Sequence, residues 1–583
     1  MTPAILLTIP FLRDVGGSVL REVAKAALWY SVPSGCPLFL DKEPADTIWF
    51  VVSGSLGAFR QSNDGTQDFI GHIRKGEPVG EFALVAGEAH SGSVFALRDS
   101  EVLALDRATF NRLIRRHPAL MANLARTILF RSRQNRRKNP RAEPRIFALI
   151  ATSQTIDIRV RAVELQAALA RIGKRALITE QGTNEFNSSW FDQAERDYDI
   201  VLLVVDTRWS SWANLCQRQA DRIWIFARAD SLPTPRDDVI KQNMLPSFKL
   251  VDVIMVRAKG ARAQTFAAEW KLATQALRIF NWVDTTPSHI QKLARVMAGS
   301  TLGLVLGGGG ARAYAHIGAV RALREANYYF DFVGGTSMGG VIAACIAMGW
   351  DDSEIERRIW DGFVRNSPLD DFLLPVVAMT AGRKVDRRLL ENFGDTQIED
   401  LETPFYCVSS NLTQGVVKVH NSGSLRDSLR ASIALPGILP PVVWGDDVLV
   451  DGAVLDNFPI SAMRDLHRGL NIGIDVAQQH AVNADHFRNP PSFFQWVLKN
   501  GFKKAPPIAE LLMRSATATL ASGTKASEPD FLIVPQLEGV ELRDWKAFDK
   551  AVEAGYVATT RALQFTPELL RPLNHPTVNT GSF

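Results

Sequence analysis

The sequence predicts a multidomain chain: an N-terminal β-barrel with helices, a middle α/β domain and a C-terminal α/β domain. Three unlike patterns carry that prediction. Residues 1–130 hold short strands broken by glycine turns and end on a helical run. Residues 146–285 alternate short apolar runs with helix-length segments. From residue 300 onward, strands run into glycine-rich turns that open helices. A chain of 583 residues has material for several buried cores. The expected domains are 1–130, a basic linker at 131–145, 146–299, and 300–583 with a helical extension at its end.

In the first domain, Asp46 to Phe59 reads as strand, glycine turn, strand. Further short strands are expected around Ile70, Val94 and Val102, and one helical run from Ala108 to about Arg131. Many short strands closed by helices make a small barrel with a helical lid. The linker from Arg131 to Arg145 is basic and punctuated by Pro140 and Pro144. It reads as a solvated connector, with contact to anionic lipid headgroups as the alternative. In the middle domain the clearest strands are Ile146–Ile150, Ala176–Ile178, Ile200–Val205 and Ile223–Phe226. Short continuous apolar runs between helices predict a parallel sheet buried on both faces. Asp206 ends one of them where a metal-binding acid would stand. No P-loop lysine comes before it, so this domain reads as degenerate or purely structural.

The third domain carries the chemistry. Phe330–Val333 is a short strand, Val341–Met348 an apolar helix, and between them lies Gly335-Thr336-Ser337-Met338-Gly339. A serine on so sharp a turn has its Oγ exposed. Gly335 and Gly339 let helix and strand pass without a Cβ clash. The helix N-terminus favours negative charge developing at the serine. Upstream, Leu302–Leu306 runs into Gly307-Gly308-Gly309-Gly310-Ala311-Arg312. Consecutive glycines leave backbone N–H groups free to point at one small anion, as the tetrahedral oxyanion of ester hydrolysis requires. Downstream, Val448-Leu449-Val450 delivers Asp451 onto Gly452. A serine nucleophile needs a base, and Asp451 can accept its proton directly if the fold joins them.

Other readings fit less well. No Gly-Lys-Ser/Thr follows the glycines, against a P-loop. Asp331 opens its strand instead of ending it, against a dinucleotide fingerprint. His316, four residues beyond Arg312, reads as a packed helix histidine. An α/β-hydrolase triad needs its histidine after the aspartate, and His467, His480, His486 and His575 all qualify by order alone. Four scattered cysteines fit a reducing compartment, argue against a disulfide framework and lack metal-ligand spacing, so no metal is expected; no cofactor is expected either. A net charge of +4 suits an anionic membrane surface and is too weak to argue for nucleic acid. Met1 to Pro10 lacks the basic start of a signal peptide. The uncharged stretch from Phe332 to Trp350 contains the serine turn and reads as α/β core, so no transmembrane helix is expected. Pro490 to Leu498 is aromatic and flanked by Lys499, Lys503 and Lys504. It reads equally as a packed helix or a membrane-docking lid. Trp545 to Leu563 reads as an amphipathic closing helix.

The order of glycine loop, G-x-S-x-G and Asp-Gly-Ala resembles the patatin-like phospholipase family over residues 300–480. Two accessory segments are similar as well: Ala431 to Pro441, and Asp456-Asn457-Phe458-Pro459. The resemblance implies a catalytic dyad without histidine. Ser337 would be nucleophile and Asp451 base, with Gly308, Gly309 and Gly310 carrying the oxyanion hole and Arg312 beside it. Ala313 departs from the glycine usual at its place. The first domain resembles cyclic-nucleotide-binding domains, including Gly76-Glu77 and Gly80-Glu81-Phe82-Ala83-Leu84. That family implies a ribose-binding role for Glu81 and an arginine for the cyclic phosphate. His90 stands in the arginine's place and lacks its permanent forked charge. Arg98 is the nearby substitute, and cyclic-nucleotide binding is not expected. The whole arrangement resembles the neuropathy target esterase (NTE) family of lysophospholipases. It implies hydrolysis of a fatty-acyl ester of a lysophospholipid or phospholipid through an acyl-serine, in the cytoplasm or peripherally on the inner membrane face. The alternatives are a Ser-His-Asp esterase and a non-catalytic lipid-binding regulator.

Overall fold

The computed structural model describes residues 6–7, 9–13, 15–61, 67–135, 144–181, 186–207, 210–233, 250–258, 260, 265–365, 371, 377–477, 528–542 and 544–565. The expectations for His480, His486 and His575, and for the aromatic segment at 490–498 with its lysines, lie outside these residues. The chain divides into two compact units, Met1–Arg262 with Glu269–Ala298, and Ala263–Ala268 with Gly299–Phe583.

The first unit begins with a barrel of two four-stranded antiparallel sheets. One orders Leu28–Val32, Ser100–Asp106, Thr47–Ser53 and Pro78–Val79; the other orders Pro37–Phe39, Ser93–Ala96, Leu56–Gln61 and Gln67–Ile73. The expected single helical run is two helices, Arg107–Arg116 and Ala119–Asn135. Asp106 caps the first, accepting the Thr109 N–H at 2.8 Å. Pro118 divides them, because proline has no N–H to continue the ladder and holds His117 out of helical geometry (φ −132°, ψ 78°).

A six-stranded sheet follows in the same unit, entirely parallel. Its order is Ala176–Thr179, Ile200–Val205, Ile146–Ala151, Arg222–Arg228, Leu250–Arg257, Arg278–Val283. The last two strands escape sequence reading because Asp252 interrupts one apolar run, and Arg278 opens and Asn281 interrupts the other. Asp252 is fully buried and is held by Arg222 and Arg278, each at 2.7 Å, and by the Trp224 indole N–H at 3.0 Å. Paired in this way, a buried carboxylate is tolerated in a central strand. After Ile146–Ala151, where a P-loop would cradle phosphate, Asp157 caps the helix Ile158–Arg171 and accepts the Val160 N–H at 3.1 Å. A carboxylate occupies the helix N-terminus that a phosphate would need.

The second unit is built on a mixed sheet ordered Val442–Trp444, Asp447–Asp451, Phe405–Asn411, Phe332–Thr336, Leu302–Leu306, Leu470–Ile474, Phe531–Ile533. The five strands from Phe405–Asn411 to Phe531–Ile533 run parallel, and Val416–His420 pairs with Phe405–Asn411 antiparallel. Helices Ala315–Glu325 and Met338–Ala347 pack their apolar sides into one core with these strands. The closing helix spans Phe548–Phe565. Asp331 is fully buried and accepts the Leu302 N–H at 3.0 Å, tying the starts of two neighbouring strands together. Among the described residues no helix is long and apolar enough to cross a membrane.

Candidate active site

Ser337 ends the strand Phe332–Thr336 and caps the helix Met338–Ala347 with φ 55° and ψ −131°. A side-chain-bearing residue there is strained, and the strain persists only because the surroundings dictate it. The glycines on either side make the turn sterically feasible. A Cβ on Gly335 would lie 2.5 Å from the Leu306 carbonyl oxygen, and one on Gly339 would lie 2.4 Å from the same atom. The serine N–H donates to Ser432 Oγ at 3.0 Å, which fixes the turn from the helix Leu425–Ser432.

Asp451 comes from a different part of the chain and reaches the same point. Its strand pairs with Phe405–Asn411, placing Asp451 opposite Ser409, next but one to the serine strand. Ser337 Oγ donates to Asp451 Oδ2 at 2.7 Å. The other oxygen, Oδ1, accepts the Ala453 N–H at 2.9 Å. The carboxyl is buried, and burial pushes its pKa up to about 6, opposed by the hydrogen bonds from Ala453 and Ser337. A carboxylate so desolvated attracts the serine proton more strongly than one in water.

The glycine loop passes beside the serine: a Cβ on Gly308 would sit 3.2 Å from the Cβ of Ser337. Its members do not share one role. The Gly308 N–H donates to the Asn457 carbonyl at 3.2 Å, while Asn457 Nδ2 donates back to the Gly308 carbonyl at 3.1 Å. The Ala311 N–H donates to the Leu542 carbonyl at 2.8 Å, and Arg312 Nε donates to the Val540 carbonyl at 2.8 Å. Among the described residues, the Gly309 and Gly310 N–H groups have no partner. The anion-facing donors expected at Gly308 and Arg312 are thus committed elsewhere, and Gly309 and Gly310 remain. The loop is also gripped from behind. His316, fully buried and with its pKa lowered to about 4 by burial, donates Nε2–H to the Gly307 carbonyl at 2.8 Å.

The described histidines make no triad with Ser337 and Asp451. His467 is buried, its pKa lowered to about 4 chiefly by burial. Its Nδ1 meets Thr301 Oγ1 at 2.8 Å and the Gly469 N–H at 3.1 Å, its Nε2 meets Asn471 Oδ1 at 2.9 Å, and its ring stacks on Phe332. Both ring nitrogens are engaged away from Ser337. His420, which sequence reading passed over, bonds Ser409 Oγ at 2.7 Å on the strand beside Asp451. No histidine among the described residues hydrogen-bonds Ser337 or Asp451. Ser432 and Asn457 fall inside segments that drew notice in the sequence, but nothing there assigned either a partner. Val540 and Leu542 carried no signal at all, since they act through their carbonyls. No cluster that could hold a metal ion occurs among the described residues.

In the barrel, Glu81 is buried and opens the helix Glu81–Ala86. His90 stacks flat on Phe39, ring centroids 3.6 Å apart, and lies 3.1 Å from where a Cβ on Gly80 would stand. Burial lowers the pKa of His90, so the ring is neutral near pH 7. Arg98 does not stand in for a phosphate-binding arginine. It is buried between Glu195 (3.3 Å) and Asp221 (3.4 Å) of the parallel-sheet region.

Residues 304–464 match the patatin-like phospholipase family, 30–117 the cyclic nucleotide-binding domain, and 145–245 the neuropathy target esterase family P-loop like domain. An uncharacterized NTE family protein of Mycobacterium tuberculosis is 29% identical over 97% of both chains. Human patatin-like phospholipase domain-containing protein 6 is 27% identical over 92% of this chain and 44% of its own length. Among solved structures, Thermus thermophilus catabolite activator protein is 23% identical over 28% of this chain and 67% of its own, with a TM-score of 0.21.

Proposed function

We propose that this protein, an NTE-like patatin-like phospholipase with an N-terminal cyclic-nucleotide-binding-like domain and hence a lipid ester hydrolase, cleaves fatty-acyl esters of lysophospholipids or phospholipids through Ser337 and Asp451. The observation that carries the residue assignment is the 2.7 Å bond between a strained serine hydroxyl and a buried carboxylate of raised pKa. As Ser337 Oγ attacks the ester carbonyl, Asp451 takes its proton. Negative charge on the carbonyl oxygen is met by the N–H groups of Gly309 and Gly310 and by the N-terminus of the helix Met338–Ala347. Collapse of the intermediate breaks the bond to the glycerol oxygen, which leaves with the proton held by Asp451. A water molecule then attacks the acyl-serine with Asp451 again as base; the bond to Ser337 Oγ breaks, Asp451 returns the proton to that oxygen, and the fatty acid departs. A base with a pKa about 6 is ionised at neutral pH yet keeps its affinity for a proton, which suits both half-reactions.

The substrate's apolar tail places the reaction at a lipid surface, so the protein is expected to work peripherally on the cytoplasmic face of a membrane. The four cysteines, all unpaired, accord with a reducing compartment. The test is a fluorophosphonate label followed by peptide mapping, with fatty-acid release measured from a panel of lysophospholipids and phospholipids. Labelling at Ser337 and release that disappears in Ser337→Ala are expected. Label elsewhere, or release from the Ser337→Ala protein, would show that another residue does the chemistry.

A further inference from the structure

The stretch from Leu537 through the helix Phe548–Phe565 lies beyond the residues that match the patatin-like family, yet it meets the glycine loop at every turn. Its Val540 carbonyl receives Arg312 Nε and its Leu542 carbonyl receives the Ala311 N–H, both at 2.8 Å. Gly310, with φ 54°, fits against the Leu542 carbonyl so closely that a Cβ there would lie 2.3 Å from the oxygen. The helix then crosses Ala315–Glu325, backbone against backbone. A Cβ on Gly318 would fall 1.8 Å from the Val552 carbonyl, and one on Gly555 would fall 1.8 Å from the Ala315 carbonyl. Tyr314, joining loop to helix, packs its ring on Phe548 at 4.9 Å.

We infer that this C-terminal stretch is a clamp that sets the glycine loop in its oxyanion-binding geometry, with Arg312, Gly555 and the Val540 and Leu542 carbonyls as positioning groups. The argument is one of donor bookkeeping. Five consecutive residues, Gly308 to Arg312, could in principle aim N–H groups at the reacting carbonyl. Gly308 is withdrawn by the Asn457 carbonyl, Ala311 by the Leu542 carbonyl and Arg312 by the Gly309 carbonyl (3.1 Å), leaving Gly309 and Gly310 between fixed points. Their direction follows from where the Leu542 and Val540 carbonyls stand. Oxyanion donors act only when aimed correctly beforehand, and a misplacement on the order of 1 Å lowers rates by about a hundredfold. The glycine-to-glycine helix crossing makes the clamp stiff, because no side chain intervenes that could change rotamer.

The inference rests on Ser337 as nucleophile, and the experiment separates the two. Gly555→Ala wedges a methyl into the helix crossing, and Arg312→Lys keeps the charge but loses the fixed Nε donor. In both full-length variants, competent serines are counted from the end-point of fluorophosphonate labelling, and kcat on a short-chain nitrophenyl ester is expressed per labelled serine. The clamp predicts a fall in kcat per labelled serine of roughly tenfold to a hundredfold. It also predicts a parallel slowing of the labelling rate and a KM within about threefold of the parent, because substrate contacts are untouched. A merely structural role would lower the number of labelled serines while leaving kcat per labelled serine within about twofold of the parent, and that result overturns the clamp. If Gly555→Ala shows no cooperative melt, Arg312→Lys alone decides. Failure of the parent to label at Ser337 would instead refute the nucleophile assignment.

Discussion

In the C-terminal unit the residues singled out by motif converge. In the N-terminal barrel they have been turned to other uses. Ser337 keeps an unfavourable backbone (φ 55°) and holds its hydroxyl against a desolvated carboxylate. Neither feature helps the fold, since strain and a buried charge both oppose it. The barrel shows the reverse. His90 stacks on Phe39 and Arg98 is neutralised by Glu195 and Asp221. Each of these contacts stabilises the unit as it stands, and each occupies a group that a cyclic phosphate would need. On the reading proposed here, the destabilising arrangement belongs to a working site and the satisfied one to a fold used for packing.

The sharpest way to break this comparison is Ser337→Ala. Activity on a short-chain ester should fall by on the order of a thousandfold or more, with a circular dichroism melt like the parent's. Loss of less than tenfold would mean that the strained serine is not the nucleophile.

Asp451→Asn comes next and tests both halves of the contrast. The amide can still satisfy both neighbours, with Oδ1 accepting the Ala453 N–H and Nδ2 donating to Ser337 Oγ. It cannot take a proton, so kcat should fall by roughly a hundredfold or more. Stability should move the other way. The folded-state pKa of Asp451 is about 6, above the ordinary aspartate value of 3.8, so protonation favours the folded form. Its stabilising contribution is full below pH 3.8 and is lost as pH rises through about 6. At pH 8 the variant should therefore melt higher than the parent, and the gap should close by pH 4. The parent's kcat/KM should rise tenfold per pH step below about 6 and level off above it. A variant that melts lower than the parent at pH 8 would show that the carboxylate supports the fold, against its assignment as a strained functional group.

Much of the second unit was legible because its chemistry needs particular residue types at particular turns. Gly335, Ser337, Gly339 and Asp451 are recognisable because few other residues fit so close a strand–helix approach or do that work. The fold supplied what sequence could not: that Asp451 lies next but one to the serine strand, and that Ser432 anchors the serine turn. Donor commitments were hidden because they are made by backbone. The carbonyls of Asn457, Val540 and Leu542 carry no residue-type signature, so nothing in the sequence withdrew Gly308 or Arg312 from the oxyanion hole. Two strands of the parallel sheet, Leu250–Arg257 and Arg278–Val283, were missed for a related reason. Their charged residues read as exposed until the Arg222–Asp252–Arg278 cluster shows them paired in the interior.

His467→Gln sharpens the dyad against the triad with a smaller effect. The ring is bonded to Thr301, Asn471 and Gly469 and stacked on Phe332, so its loss should destabilise the unit by about 1–3 kcal/mol. For a domain of this size that lowers the melting temperature by several degrees. Turnover per folded molecule should stay within about threefold of the parent. A folded variant without turnover would reinstate a histidine base.

The smallest expected effect is none at all, and it tests the barrel. Cyclic AMP or cyclic GMP should not bind at micromolar concentration, and neither should alter the esterase rate. Binding would have to separate the Phe39–His90 stack, and it would have to find a cation for the phosphate when His90 is held neutral and Arg98 lies between two carboxylates. A guanidinium already paired with Glu195 and Asp221 gains little by exchanging them for a phosphate, and leaving would take the compensating charge away from two largely buried carboxylates. Isothermal titration at pH 7.5 measures this directly. A saturable heat with a dissociation constant at or below roughly ten micromolar, about 7 kcal/mol of binding, would show that the barrel opens a site the free structure conceals. The contrast between the two regions would then be one of ligand occupancy, with the stacked His90 acting as a displaceable plug.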